Sequence, residues 1–182
     1  MHFIEPEDGH RLDKAITFLV HHYMQAGHNP KPVIYHSLSL AFYLLDFGYG
    51  LDIVETAILH DLIEDSDITK KDIAATFGDK TAVWVEALSF KTTIEDKEAR
   101  YKEMFSRIKE AGRDTLIIKC ADIYSNSLYI KLVEDKEKQQ FLIDKLHYFL
   151  SLSKGMIGDE PVWSDLAKQG REETERLNNS RL

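Results

Sequence analysis

The chain is poor in several things, and each shortage narrows what it can be. It has a single cysteine, Cys120, in 182 residues. An internal disulfide is therefore excluded, which suits a reducing cytoplasm. Positive charge is scarce: 23 lysines and arginines stand against 31 aspartates and glutamates, a formal net charge of -8. Such a chain has no general pull toward nucleic acid or anionic lipid, so neither a nucleic-acid polymer nor a membrane is expected as a partner. A local basic pocket inside an acidic protein is compatible with this balance. No stretch approaches transmembrane length without a charge. The opening Met-His-Phe-Ile-Glu-Pro-Glu-Asp carries charges where a signal peptide needs an apolar run, so a cytoplasmic location is expected. Strand signals are weak throughout, and there is no repeat, low-complexity tract or long linker. The length and an apolar content of 43% are enough for a core without disulfides or a structural metal.

Apolar residues recur at helical spacing from Leu12 almost to the end. The spacing predicts helices over roughly 11–26, 33–47, 52–64, 69–77, 79–90, 96–111, 113–132, 135–154 and 161–178. Asp52 with Glu55 reads as a capping box, and Thr69 with Asp72 as another helix start. Asp79 after Gly78 reads as a third. Asn29-Pro30-Lys31-Pro32 breaks the chain before the second helix, because proline removes a donor and restricts the residue before it. The expected architecture is an all-α bundle in one domain over 1–182, with its motif core at about 12–130 and C-terminal helices at about 135–178. The last amphipathic helix either caps this domain, the more usual outcome, or meets a partner. Assembly into a homo-oligomer is left open.

Chemistry is concentrated in Ala57-Ile58-Leu59-His60-Asp61-Leu62-Ile63-Glu64-Asp65. On a helix, Ile53, Ala57, His60 and Glu64 follow one stripe, and Val54, Ile58, Asp61 and Asp65 the next. Both stripes start apolar and end ionisable. Buried charge is costly unless it is paired or bound to a metal. His36 has the same conflict, sharing a stripe with Leu40, Tyr43 and Phe47. So does Asp122, in line with Ile118, Asn126 and Tyr129. Taken singly, His36 reads as a hydrogen-bonded core histidine and Asp122 as a helix-to-helix contact. Taken together, three apolar helices offer two imidazoles and two carboxylates, a set suited to one divalent ion, Mn²⁺ first, with Fe²⁺, Co²⁺, Zn²⁺ or Mg²⁺ as alternatives. The remaining histidines read as incidental: His21 and His22 facing solvent, His147 structural.

In this order the residues resemble the HD superfamily of metal-dependent phosphohydrolases: His36, then His60-Asp61, then a distant Asp122. The likeness is greatest to the hydrolase domain of the RelA/SpoT family and its small stand-alone relatives. It rests on Leu59 to Asp65, on Phe77-Gly78, and on Lys119, Ala121, Asp122 and Asn126, and it covers roughly residues 12–130. The resemblance implies an HD-domain helical bundle with His36, His60, Asp61 and Asp122 as metal ligands. It implies Glu64 and Asp65 as the pair that orients and deprotonates the attacking water. Asn126, with Lys91 and Arg100, is implied near the substrate. No histidine lies between His60 and Asp122, which argues for one metal and for hydrolysis. The implied substrate is small, phosphorylated and nucleotide-like. Alarmone hydrolases carry an Arg-Lys-Ser-Gly-like stretch where this chain has Gly27-His28-Asn29-Pro30, and an Arg where it has Leu128. Another small phosphorylated compound is therefore expected ahead of the alarmones, with alarmone 3′-pyrophosphohydrolase the runner-up. An inactive metal- or nucleotide-binding regulatory module is the alternative from another class.

Overall fold

A computed structural model describes residues 4–25 and 32–180 of the chain. It is helical, with no strand among the described residues. Ten α-helices follow in order: α1 Pro6–Gln25, α2 Val33–Asp46, α3 Leu51–Leu59, α4 Leu62–Asp65, α5 Lys70–Phe77, α6 Asp79–Leu88, α7 Lys97–Ala111, α8 Arg113–Ser127, α9 Lys136–Ile157 and α10 Pro161–Asn179. The all-α expectation is met. No described helix is long and apolar enough to cross a membrane.

Two short helices form the centre. From Ile53 to Leu59 every residue of α3 is buried, and so is every residue of α8 from Thr115 to Ile123. A helix buried on all sides has to be surrounded by others. Helices α1, α2, α6 and α8 pack on α3, while α2, α7, α9 and α10 pack on α8. One hydrophobic cluster runs through these helices from Leu12 to Ala167. The C-terminal helix α10 lies on α8 and α9 of its own chain. Its approach to α9 is close: a Cβ added at Gly170 would stand 2.6 Å from Cδ2 of Leu146.

Thr69 and Asp72 form the expected capping box, the Asp72 carboxylate accepting from the Thr69 backbone N–H at 2.9 Å. Gly78, at φ 90°, makes the turn from α5 into α6 that favours glycine. Three expectations need correction. Asp52 and Glu55 do not cap α3, whose N-cap is Gly50 without a side-chain bond. They turn sideways instead: Arg11 of α1 donates to Asp52 at 2.6 Å and to Glu55 at 2.8 Å, and Thr81 donates to Glu55 at 2.9 Å. A carboxylate as buried as Glu55 has to take a cation from across the fold before it can serve its own helix end. The helix expected at 52–64 breaks at His60–Asp61. The one expected at 113–132 ends at Ser127, with a separate 3₁₀ turn at Ile130–Leu132.

Candidate metal centre

The break between α3 and α4 builds the centre. His60 closes α3 with near-helical angles, and Asp61 follows at φ -95° and ψ -3°, a conformation that restarts the chain as α4. Both side chains can then reach one point. The His60 Nδ1–H donates to the Ala57 carbonyl at 2.8 Å. A carbonyl only accepts, so Nδ1 carries a proton and Nε2 is the nitrogen turned to the interior, where it can bind a cation once it gives up its own proton.

Around Nε2 of His60 stand Oδ1 of Asp61 at 3.0 Å and Oδ1 of Asp122 at 3.7 Å. Nε2 of His36, from α2, lies 3.0 Å from the same Asp122 oxygen. His36, His60 and Asp122 are all buried, and each brings a ligand atom within 4.8 Å of the others. Nε2 of His60 is buried and, although these carboxylates are near, makes no hydrogen bond of good geometry. Buried polar atoms are seldom left so, and an ion is a standard explanation. The donor set is nitrogen and oxygen, as Mn²⁺, Fe²⁺ or Zn²⁺ accept. The residues fit a divalent cation.

The electrostatics favour positive charge at this point. Burial alone would lower the His60 value, but the Asp61 and Asp122 carboxylates outweigh it and push it to about 10. Burial would raise Asp122, but Lys119 and the two imidazoles hold its carboxyl well below the usual range. Lys119, itself buried, reaches Oδ2 of Asp122 at 2.8 Å. Asn126 donates to Oδ1 of Asp122 at 2.6 Å.

Glu64 and Asp65 sit one turn past His60 and Asp61, on α4. Glu64 as a whole is exposed, yet its carboxyl is close-packed enough for desolvation to push it up, with Asp61 adding and Lys119 opposing. It accepts from the Phe90 backbone N–H at 2.6 Å. Two cavities flank Asn126 and Tyr129, which line both. One, of about 260 Å³, runs from Asp122 to Lys145. The other, of about 320 Å³, opens beside His36, Tyr35 and Leu128.

His36, His60, Asp61, Asp122 and Asn126 are thus brought together. Lys91 pairs with Glu103, and Arg100 donates to the carbonyls of Ile94 and Glu95, so both cations are engaged in their own region. Gly27, His28, Asn29 and Pro30 lie outside the described residues. His21 is exposed, whereas His22 is half-buried with its ring centroid 4.3 Å from that of Phe18. His147 bonds Thr174 at 3.0 Å. Three neighbours of the centre were not singled out by sequence reasoning. Tyr23 is buried, its hydroxyl has no hydrogen bond of good geometry, and Asp61, Asp65 and Glu64 are its charged neighbours. It ends the inward stripe Leu12, Ala15, Leu19, Tyr23, the same apolar-then-polar signal that marked His36. Lys119 counted only as a motif letter. Lys145, in an ordinary amphipathic helix, carried no signal.

No protein-family model matches the chain. Curated proteins do. A guanosine-3′,5′-bis(diphosphate) 3′-pyrophosphohydrolase of Vibrio cholerae is 26% identical over 157 residues, 83% of this chain and 22% of the relative. The Aquifex aeolicus protein of the same name is 23% identical, over 87% of this chain and 23% of its own length. The bifunctional (p)ppGpp synthase/hydrolase SpoT of Escherichia coli K12 is 24% identical, over 83% and 22%. The chain thus spans less than a quarter of the length of these relatives. Among solved structures, a metazoan ortholog of SpoT described as hydrolysing ppGpp superposes with a TM-score of 0.78 at 15% identity, over 94% of this chain and 98% of that one. The lmo0812 protein of Listeria monocytogenes superposes with a TM-score of 0.68 at 22% identity, over 80% and 99%. Sequence likeness and fold likeness agree: the chain is similar to the RelA/SpoT hydrolases in sequence and shares the helical fold of a SpoT ortholog.

Proposed function

We propose that the chain is a divalent-metal-dependent phosphohydrolase acting on a small, nucleotide-like phosphoester or pyrophosphate. The observation that carries this reading is the convergence of buried His36, His60 and Asp122 with Asp61 on one point, where Nε2 of His60 makes no hydrogen bond of good geometry. A divalent cation held by His36, His60, Asp61 and Asp122 supplies Lewis acidity at a phosphoryl oxygen and makes water more acidic. Mn²⁺ is the favoured ion, and a cytoplasmic location goes with the reading. Glu64 and Asp65 orient the attacking water, and one of the two carboxylates takes its proton. The water oxygen bonds to phosphorus as the bond to the leaving oxygen breaks, and that oxygen takes up a proton from the carboxyl so formed or from bulk water. The raised value of Glu64 brings its base strength closer to neutral pH, where a general base works best. Lys119 stands close enough to Glu64 and Asp122 to offset charge gathering between them. Asn126 presents its amide at the meeting of the two cavities, where a sugar or phosphate oxygen would lie.

A second reading, alarmone 3′-pyrophosphohydrolase, is favoured by the names of the relatives. Leu128 weighs against it. It is 41% exposed and apolar, on the cavity beside His36, where alarmone hydrolases carry an arginine. A missing charge-assisted hydrogen bond costs roughly 1.5–3 kcal/mol. The test is release of phosphate and pyrophosphate from a panel of nucleotides and alarmones with Mn²⁺, Co²⁺ or Mg²⁺. A kcat/KM for guanosine 3′,5′-bis(diphosphate) of about 10⁴ M⁻¹s⁻¹ or more promotes the second reading. No release from any compound with a metal-loaded protein overturns both.

A further inference from the structure

Helix α4 is a single turn, and Leu62 is its one buried residue. One turn does not hold its own shape in water, because the first turn is the costly part of a helix. The carboxylates on α4 are therefore placed by what packs against it, chiefly α1 and α6. Just past α6 the tie is plain: the Phe90 backbone N–H donates to Glu64 at 2.6 Å. On the α1 side stands Tyr23. It is 6% exposed, and its hydroxyl is buried without a hydrogen bond of good geometry. A core that needed only the ring would be better filled by phenylalanine, which brings no donor to bury. A buried donor so placed asks for an acceptor nearby. Its charged neighbours are Asp61, Asp65 and Glu64, and of these Asp65 is close enough to act on it as a hydrogen-bond partner. Asp61 turns an oxygen to His60 at 3.0 Å, and Glu64 is tied to Phe90. Burial first, and then the carboxylates, push the phenol up, so it keeps its proton and stays a donor.

We infer that Tyr23 is a positioning residue for the hydrolysis proposed above, and the inference rests on that reading: its O–H donates to the Asp65 carboxylate and holds it from α1 against the attacking water, as the Phe90 N–H holds Glu64 from just past α6. Tyr23 does not touch the reacting atoms. It acts through Asp65, by a charge-assisted bond of the strong kind. The two carboxylates of a one-turn helix are in this way fixed by two different neighbours, and each can keep its own place when a substrate enters.

The variant that tests it is Tyr23→Phe, which keeps the ring in the core and removes only the oxygen. Phosphate and pyrophosphate release from the panel of nucleotides and alarmones is followed in the full-length Mn²⁺-loaded chain, with Mn²⁺ content read by elemental analysis. We expect kcat to fall about ten- to hundredfold, the factor that one charge-assisted hydrogen bond corresponds to, with KM and Mn²⁺ content near their wild-type values. In an Asp65→Ala background the same substitution should cost nothing further, so the double variant runs at the rate of Asp65→Ala alone. The pair is also read without turnover: the shift that Tyr23→Phe makes in the urea midpoint should differ between the Asp65 and Asp65→Ala chains, because residues in contact couple. Equal losses or equal shifts in the two backgrounds overturn the inference, and so does a Tyr23→Phe chain that loses kcat, substrate affinity and metal together, which would mark the hydroxyl as structural. Turnover left intact by Tyr23→Phe removes this role and leaves the proposed activity standing. Coupled midpoints in a chain that releases nothing from the panel overturn the activity, and the positioning role with it, while the Tyr23–Asp65 bond stands.

Discussion

Asp61 sits at the joint of two helices with its oxygen 3.0 Å from His60, and little of it reaches solvent. Asp61→Ala should abolish both metal content and turnover, read by elemental analysis and phosphate release. The helical circular-dichroism signal should persist, because the core does not depend on the metal. Wild-type turnover in this variant would mean the joint has no part in catalysis. Glu64→Gln and Asp65→Asn should keep the metal and lower the rate by about 10²–10⁴-fold, the usual contribution of a general acid or base. A metal-loaded variant running near the wild-type rate would reduce the pair to surface charge. At this scale the ligand candidates were legible because each ionisable residue ended an apolar stripe. Tyr23 showed the same signal and passed unread, since a tyrosine at the end of a stripe is ordinary core. Lys145 could not be read at all: its ammonium lies by the rings of Phe90 and Tyr101, 55 and 44 positions away in sequence, which no periodicity within α9 reports.

Helices α1 and α3 are tied by Arg11 to Asp52 and Glu55, and Lys80 adds a 2.6 Å bond to Asp52. Hydrogen bonds from Lys80 and Arg11 hold the Asp52 carboxyl below its usual value. Its folded value is depressed, so its contribution is intact above the unfolded value of about 3.9 and fades as pH falls through the lower folded one. Because Asp52 is 40% exposed, the effect stays within about 1 kcal/mol. Urea melts of the wild type and Asp52→Asn should differ at pH 6 and converge near pH 2.5; an unchanging gap would show that charge is not the cause. Most elements were legible, with α2, α5, α6, α7, α9 and α10 starting or ending within a few residues of expectation. The break at His60–Asp61 was not, because nothing between Leu59 and Asp65 is a glycine or proline. Tertiary contacts at the joint, not local propensity, interrupt the helix there.

Across the whole molecule the candidate ligands come from α2, the α3–α4 joint and α8, with 86 positions separating His36 from Asp122. A cation binding this folded arrangement and not the open chain stabilises it by mass action, about 2.7 kcal/mol at one hundred times its Kd. For a chain of this size that is a rise in Tm of about 5–11 °C, reversed by a chelator without loss of helix signal. A Tm indifferent to Mn²⁺ would show that no ion ties these helices. Gly170 has a reach of its own. Any side chain there pushes on Leu146, a core residue that also lines the cavity running from Asp122 to Lys145. Gly170→Ala should cost about 1–3 kcal/mol through overpacking. It should also raise KM for the bulkier of two substrates more than for the smaller; equal changes would mean the leucine yields in another direction. The room given to a substrate is thus set from the back wall, by a helix that lines neither of the two cavities. A lineage could retune what it accepts there, leaving every residue around the ion as it was.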